Sequence, residues 1–199
     1  ACERPTNRVT ISSSTRMMSP PRTESGLRVR AVNTRYARPA LALDPADTVM
    51  VLGDIAFADA ATLLAGFDLC LHLVDDGADI PGSYWGAPEA GIIASDVYVR
   101  RDTPVHSMLH ESCHLIVLPP EKRALVHTDA TDSVAEEDAT CYLQIVLAGR
   151  LPGVGSDRLM ADMDAWGYTY RLGSTRAWFE HDAEDARAWL AERGLPTTS

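Results

Sequence analysis

Residues 103–118 read TPVHSMLHESCHLIVL, and this stretch predicts a helix buried in the protein core. Thr103 can cap the start of the helix, and Pro104 suits its first position, where a missing N–H group costs nothing. Two prolines follow at positions 119 and 120 and end the helix. Glu111 is the only formally charged residue in the stretch, which is typical of a helix surrounded by core side chains.

Within this helix, residues 110–114 read His-Glu-Ser-Cys-His, the H-E-x-x-H pattern. Two histidines four residues apart lie on one helical face, about 6 Å apart along the axis, so both imidazoles can reach one Zn²⁺. Glu111 can take a proton from a water molecule that the metal activates. Buried histidines and carboxylates are costly without partners, and a metal removes that cost. The pattern therefore predicts a zinc site with His110 and His114 as ligands and Glu111 as general base.

A tetrahedral zinc site with an open position needs a third protein ligand. A second helix is predicted over residues 134–148, capped by Asp132 or Ser133 and ended by Gly149. The candidate ligands that follow the motif are His127, Asp129, Asp132, Glu136, Glu137 and Asp138.

This arrangement resembles the gluzincin metallopeptidases, in which the H-E-x-x-H helix is followed by a second helix that supplies a glutamate. The likeness is closest to their compact members, which include anti-repressor and stress-response peptidases that cleave transcription factors. Their second helix often carries E-x-x-A followed by Asn or Asp. Residues 136–140, EEDAT, place Glu136 at the ligand position, and the likeness covers roughly residues 56–148.

Two features of the second helix leave an alternative open. Ser133 and Glu136 have the spacing of a capping box, which ties Glu136 to the start of the helix and makes Glu137 the ligand instead. Thr140 also stands where the family has an amide or a carboxylate that orients a ligand. We favour Glu136 as the third ligand at this point and keep Glu137 as the alternative.

The resemblance implies a zincin-like α+β fold, with a small mixed sheet, the H-E-x-x-H helix and a following glutamate-bearing helix. It implies a zinc-dependent metallopeptidase that hydrolyses peptide bonds in a peptide or protein substrate, with Zn²⁺ held by His110, His114 and Glu136. It also implies that the strand around residues 97–99 is the edge strand that pairs with an extended substrate. The alternative function is a zincin-like, metal-stabilised binding or regulatory module without significant turnover.

The remaining pattern is that of a mixed α/β chain without internal repeats. Short apolar runs predict strands, and longer runs with apolar residues on one face predict helices. Helices are expected at 56–66, 157–166 and 177–191, and strands at 27–32, 48–52, 69–74, 91–100 and 168–172.

Charge divides the chain into a basic tail and an acidic body. Residues 1–38 carry a net charge of +6 and residues 39–199 a net charge of −16. We predict a disordered basic tail at 1–26 and a single domain at 27–199. The acidic body disfavours binding to nucleic acid, and no apolar stretch reaches the ~18 residues that a transmembrane helix needs.

Four cysteines, at positions 2, 70, 113 and 141, form no C-x-x-C pair, and we expect buried thiols in a reducing, cytoplasmic compartment. Ala1-Cys2 as the remnant of a lipobox is the alternative.

Several residues outside the motif have weaker signals. His127 or one of the tyrosines at 142, 168 and 170 can stabilise an oxyanion. His106 either lines the cleft or lies at the surface, and His181 belongs to an acidic surface.

Overall fold

The chain folds into seven α-helices and one three-stranded mixed sheet in the part that the computed structural model describes, residues 49–130 and 133–198. The α+β class expected from the sequence is therefore confirmed. All described residues belong to one compact unit. The predicted tail at 1–26, the predicted strand at 27–32, Cys2 and the candidate cap Asp132 lie outside the described residues.

The elements follow one another with short connections. Their bounds are a 3₁₀ turn at Leu52–Asp54, α1 (Phe57–Ala65), β1 (Cys70–Leu73), β2 (Gly91–Ile93), β3 (Asp96–Val99), α2 (Val105–Val117), α3 (Pro120–Arg123), α4 (Val134–Ala148), α5 (Ser156–Trp166), α6 (Thr175–His181) and α7 (Glu184–Glu192).

The sheet has the strand order β1-β3-β2, so β3 is its central strand. It pairs in parallel with β1 and antiparallel with β2. Val97 and Val99 point into the core while Asp96 and Tyr98 are half-buried, which is the two-residue alternation of a strand. The prediction that residues 97–99 form an edge strand is wrong, because neighbouring strands already use both sides of β3. That strand cannot pair with an extended substrate.

Two helices form the centre of the core. Every residue of α2 is buried except Glu111 and His114, which are half-buried. From Ala139 to its end, α4 is buried as well. Helix α2 packs against α4 on one side and against β2 and β3 on another, while α4 also contacts α5 and α7. The helix with the H-E-x-x-H motif therefore lies between the sheet and the second predicted helix.

The segment at 50–53 attaches to the start of α2 through its backbone. Met50 accepts a hydrogen bond from Val105 N at 2.9 Å, and Leu52 N donates to Thr103 O at 2.9 Å. Met50 N donates to the buried Asp162 carboxylate of α5 at 3.0 Å. These bonds satisfy an otherwise unpaired N–H group at the helix start and link three parts of the chain.

Most of the predicted elements are confirmed, with small shifts at their ends. Gly66 follows the last residue of α1, and Gly149 follows the last residue of α4. Ser133 caps α4, since its hydroxyl accepts a hydrogen bond from Glu136 N at 3.4 Å. The apolar run at 91–100 forms two strands, β2 and β3, that meet at a tight turn.

Four predictions about local structure are wrong. The Thr103 hydroxyl accepts a hydrogen bond from Arg100 N in a turn, so Pro104 takes the cap position of α2. The predicted helix at 177–191 is two helices, α6 and α7, because the chain leaves helical geometry at Asp182, whose carboxylate pairs with Arg171. The predicted strand at 168–172 is a turn that ends at Gly173. The run at 48–52 contributes a single bridge, between Val51 and Pro104.

The three described cysteines differ in whether they are free thiols or disulfide-bonded. Cys113 and Cys141 are buried thiols outside any disulfide, as expected for residues on two facing helices. Cys70, in contrast, is disulfide-bonded. The expectation of a free thiol is therefore wrong for Cys70.

No helix among the described residues is long and apolar enough to cross a bilayer.

Candidate metal centre

Helices α2 and α4 bring together three side chains that can each offer one atom to a metal ion. His110 and His114 come from α2, and Glu137 comes from the first turns of α4. The two Nε2 atoms of the histidines lie 3.1 Å apart. Glu137 Oε1 lies 3.6 Å from His110 Nε2, and Glu137 Oε2 lies 3.4 Å from His114 Nε2. The cluster is therefore a triangle of two imidazole nitrogens and one carboxylate.

The size of this triangle fits a zinc ion. Ligand atoms at about 2.0–2.2 Å from a tetrahedral zinc are about 3.3–3.6 Å from one another. The three separations in the protein run from 3.1 to 3.6 Å. Imidazole nitrogen and carboxylate oxygen are also among the donors that zinc takes in proteins. In the metal-free chain, a ring N–H group shared between the two histidines accounts for the shortest separation.

The structure places Glu137, the alternative third ligand, beside the histidines, and Glu136 is not part of the cluster. The reason is the rotation of α4. Glu137 precedes Thr140 by three residues and Gln144 by seven, so these three side chains share one helical face. Thr140 and Gln144 are fully buried next to His114 and His110. Glu136 is rotated by about 100° from Glu137.

Glu111 follows His110 on α2 and lies half-buried beside the cluster. Burial raises the pKa of Glu111 to about 8, and the carboxylates of Glu89, Glu137 and Asp129 act in the same direction. In the metal-free protein this carboxyl group is therefore protonated at neutral pH. A divalent cation nearby favours its ionised form, because an opposite charge lowers the pKa of an acid.

Both histidines of the cluster are neutral at pH 7. Burial lowers the pKa of His114 to about 3, with a further contribution from His110. Burial also lowers the pKa of His110, while Glu137 and Gln144 oppose that shift. Neutral imidazole is the form that binds a metal, so the cluster does not have to release protons from its rings to accept one.

His106 extends the row of histidines by one turn but is not part of the cluster. It is buried, its ring centroid lies 4.9 Å from that of Trp166 and 5.7 Å from that of Tyr168, and neither of its ring nitrogens has a hydrogen-bond partner among the described residues. Burial, and secondarily His110, lower the pKa of His106 to about 3. His106 therefore neither lies at the surface nor reaches the candidate ligand atoms.

The metal-free His106→Phe variant should resist acid better than the wild type. Below about pH 6.5 the unfolded chain takes up a proton at His106, whereas the folded chain does not until about pH 3, so His106 costs stability as the pH falls. We expect the free energy of unfolding of the variant to gain up to about 1.4 kcal/mol on the wild type per pH unit between about pH 6 and pH 4. Urea unfolding at pH 6.5, 5.5 and 4.5 measures this difference. The exposed His181→Phe is the control, and a difference that does not change with pH would contradict the expectation.

Tyr168 is the one of the three candidate tyrosines whose ring contacts a histidine of the cluster. Its ring centroid lies 6.0 Å from that of His110, in an edge-to-face arrangement. Tyr142 and Tyr170 instead pack against Phe179 and Trp178. Burial raises the pKa of Tyr168 well above its usual range, so its hydroxyl keeps its proton and remains a donor.

The remaining candidates lie at the edge of the site or away from it. His127 is exposed and its Nδ1 lies 2.8 Å from the hydroxyl of Thr128. Asp129 is exposed, although Glu111 is close enough to be affected by its charge. Asp138 lines a cavity of about 450 Å³ that includes Arg171 and Asp182 and none of the cluster residues. His181 is exposed and 3.7 Å from Glu180, as its acidic surroundings in the sequence suggest.

Two residues beside the centre are not apparent from the sequence. Glu89 ends a loop more than twenty residues before Glu111, and tertiary structure alone brings the two carboxylates together. Gln144 lies in an apolar part of α4, where a buried amide is unexpected. Its position seven residues after Glu137 is a usable signal once Glu137 is taken as a ligand.

In comparisons with known proteins, no family model, curated protein or solved structure matches this chain. The description of the site therefore depends on its own geometry.

Proposed function

We propose that this protein is a zinc-dependent metallopeptidase. One observation carries the proposal. Two imidazole nitrogens and a carboxylate lie 3.1–3.6 Å from one another, and Glu111, the residue after His110, lies beside them. That combination of three ligands and an adjacent carboxylate is the donor set of a hydrolytic zinc site with one open position.

The residues of the chain divide into two roles. His110, His114 and Glu137 would hold the ion, and three protein ligands leave one position of a tetrahedral site open. A zinc ion supplies Lewis-acid chemistry: it makes a water molecule more acidic and polarises a carbonyl group. Glu111 would accept a proton from the water molecule that attacks the scissile carbonyl carbon. Glu111 then delivers the same proton to the amine nitrogen that leaves when the C–N bond breaks.

The proposed substrate is a peptide or a protein. The central position of β3 means that an extended substrate does not add to the sheet there. The aromatic side chains of Tyr84 and Trp85 are exposed in the loop that leads to Glu89, and they stack edge to face on each other. Glu89, at the end of this loop, lies close enough to Glu111 to affect its pKa, so the loop borders the proposed centre.

The second candidate is a metal-stabilised binding or regulatory module without turnover. Its support is the limited access to the cluster, since the side chains of His110, His114 and Glu137 are only 9%, 12% and 16% exposed. In such a module the ion strengthens the packing of α2 against α4 and no substrate reaches it. The two candidates share the metal and differ in hydrolysis, so a peptide-cleavage assay on the zinc-loaded protein separates them.

Metal content tests the site directly. After reloading with zinc and removal of excess metal, we expect about one zinc ion per wild-type chain by mass spectrometry, and little in His110→Ala. His181→Ala, which removes an exposed histidine outside the cluster, should keep its zinc. A wild-type protein that retains no zinc under these conditions would rule out the proposed function.

A further inference from the structure

We propose that α4 also positions both metal-binding imidazoles, with Gln144 orienting His110 and Thr140 orienting His114. This inference rests on the proposed zinc site and goes beyond it, because neither residue is a ligand. In this arrangement a single helix supplies the third ligand and the two side chains that hold the other ligands in place. Gln144 and Thr140 are positioning residues, since they act on the ion only through the histidines.

The Nε2 atom of His110 points at His114 and Glu137. An imidazole that binds a metal through Nε2 carries its proton on Nδ1, at the other side of the ring. His110 Nδ1 is buried, so this N–H group needs an acceptor within the protein. The side chain of Gln144, which is fully buried, lies close enough to act on His110 as a hydrogen-bond partner.

The hydrogen bonding of the Gln144 amide identifies its Oε1 atom as the acceptor for the Nδ1–H group of His110. Gln144 Nε2 donates a hydrogen bond to Met163 Sδ at 3.0 Å, so Oε1 is the amide atom left to accept a hydrogen bond. Gln144 Oε1 is buried and makes no short hydrogen bond with any described residue. A buried carbonyl oxygen and a buried ring N–H group each cost free energy unless they pair, and here they lie on neighbouring side chains.

Thr140 is likewise a polar side chain of α4 next to the Nδ1 atom of a histidine, in this case His114. Its hydroxyl oxygen lies 3.5 Å from His114 Nδ1, while His114 Nε2 faces Glu137. Thr140 is fully buried, so water does not compete for this hydroxyl. The contact is longer than a typical N–H···O hydrogen bond, and we therefore expect a weaker effect from Thr140 than from Gln144.

The same face of α4 also contacts the carboxylate ligand. The thiol of Cys141 lies 3.8 Å from Glu137 Oε1, one turn along the helix. Glu137, Thr140, Cys141 and Gln144 are spaced at three, four and seven residues, which is the repeat of a single helical face. Partners of metal-bound histidines fix the orientation and tautomer of the ring, and their loss typically weakens metal binding about 10- to 100-fold.

The test measures the zinc dissociation constant of the full chain with a competing chelator. Gln144→Met removes the amide at similar volume and should weaken zinc binding about 10- to 100-fold. Gln144→Glu restores an acceptor oxygen and should recover most of that loss. Met163→Leu is the matched control, because it removes the sulfur that Gln144 contacts and leaves the amide oxygen in place. Its zinc affinity should stay within about threefold of the wild type.

Thr140 is tested in the same way with Thr140→Val, which keeps the shape and removes the hydroxyl, and Thr140→Ser, which keeps the hydroxyl. We expect weaker zinc binding for valine, near the lower end of the same range, and recovery with serine. Melting temperatures of the metal-free variants provide the second readout. An orienting role changes zinc affinity more than metal-free stability, whereas a purely structural role does the reverse.

The possible outcomes distinguish a failure of the proposed zinc site from a failure of the role assigned to Gln144. A wild-type protein that binds no zinc overturns the proposed function and this inference with it. If the wild type binds zinc and Gln144→Met binds it equally well, the metal site stands and the role of Gln144 is wrong. If Gln144→Met lowers the metal-free melting temperature and Gln144→Glu does not restore zinc affinity, Gln144 is a packing residue and the inference is likewise overturned.

Discussion

Replacing Glu137 by glutamine should remove tight zinc binding, whereas replacing Glu136 by glutamine should leave it unchanged. Glu137 Oε1 and Oε2 lie 3.6 and 3.4 Å from the Nε2 atoms of His110 and His114. The amide of glutamine has the shape of the carboxylate and lacks its charge, so the variant loses a ligand without losing volume. Loss of a residue that merely orients a ligand costs about 10- to 100-fold, and we expect loss of the ligand itself to cost at least about 100-fold.

The pair of adjacent glutamates makes this a well-controlled experiment. The two variants change the same chemical group at neighbouring positions of one helix, so effects on net charge and helix propensity are matched. Zinc dissociation constants and metal content of both proteins give the result. Loss of zinc from Glu136→Gln with retention in Glu137→Gln would return the assignment to Glu136 and contradict the geometry of the site.

Replacing Glu111 by glutamine should abolish peptide hydrolysis and leave one zinc ion per chain. Glu111 is not among the three residues whose ligand atoms come together, so its loss leaves the ion in place. General acid–base groups contribute about 100- to 10,000-fold to rates, and we expect a loss of this size in kcat. Because burial raises the pKa of Glu111 to about 8, glutamine resembles the protonated side chain of the metal-free protein at pH 7. The variant should therefore fold as well as the wild type.

The assay compares cleavage of a peptide library by zinc-loaded wild type and Glu111→Gln at equal zinc content. Glu121→Gln serves as control, because Glu121 is an exposed residue of the short helix α3. Equal cleavage by the wild type and Glu111→Gln would assign the activity to a contaminant or to another residue. Absence of cleavage by every zinc-loaded protein would favour the metal-stabilised module over the peptidase.

The sequence predicts the helices of the site well because their signals are local. Helix α2 has a Pro-rich boundary at each end, and α4 has a serine cap and a terminal glycine, so both appear almost at their predicted bounds. The spacing of His110 and His114 guarantees a shared face in any helix. The α2 residues of the proposed site, His110, Glu111 and His114, can therefore be recognised from one short segment of sequence.

What the sequence leaves undecided depends on contacts between distant segments. Glu136 and Glu137 differ by one step of rotation, and only the packing of α4 against α2 determines which of them meets the histidines. The order of the strands, which puts β3 in the centre, likewise depends on the parallel pairing of β1 with β3. Glu89 joins the site through the same long-range packing, so no local pattern identifies it, and the spacing of Gln144 becomes a signal only once Glu137 is taken as a ligand.

The backbone bonds between residues 50–53 and the start of α2 bear on how the protein can be shortened for laboratory work. A version that begins after Leu52 would lack the hydrogen bond from Val105 N to Met50 O and the link from Met50 N to Asp162. The first loss falls at the N-terminal end of the helix that contains His110 and His114, and the second removes the link from this segment to α5. The N-terminal limit of a minimal fragment that keeps both contacts therefore lies at or before Met50, several residues ahead of the first predicted helix.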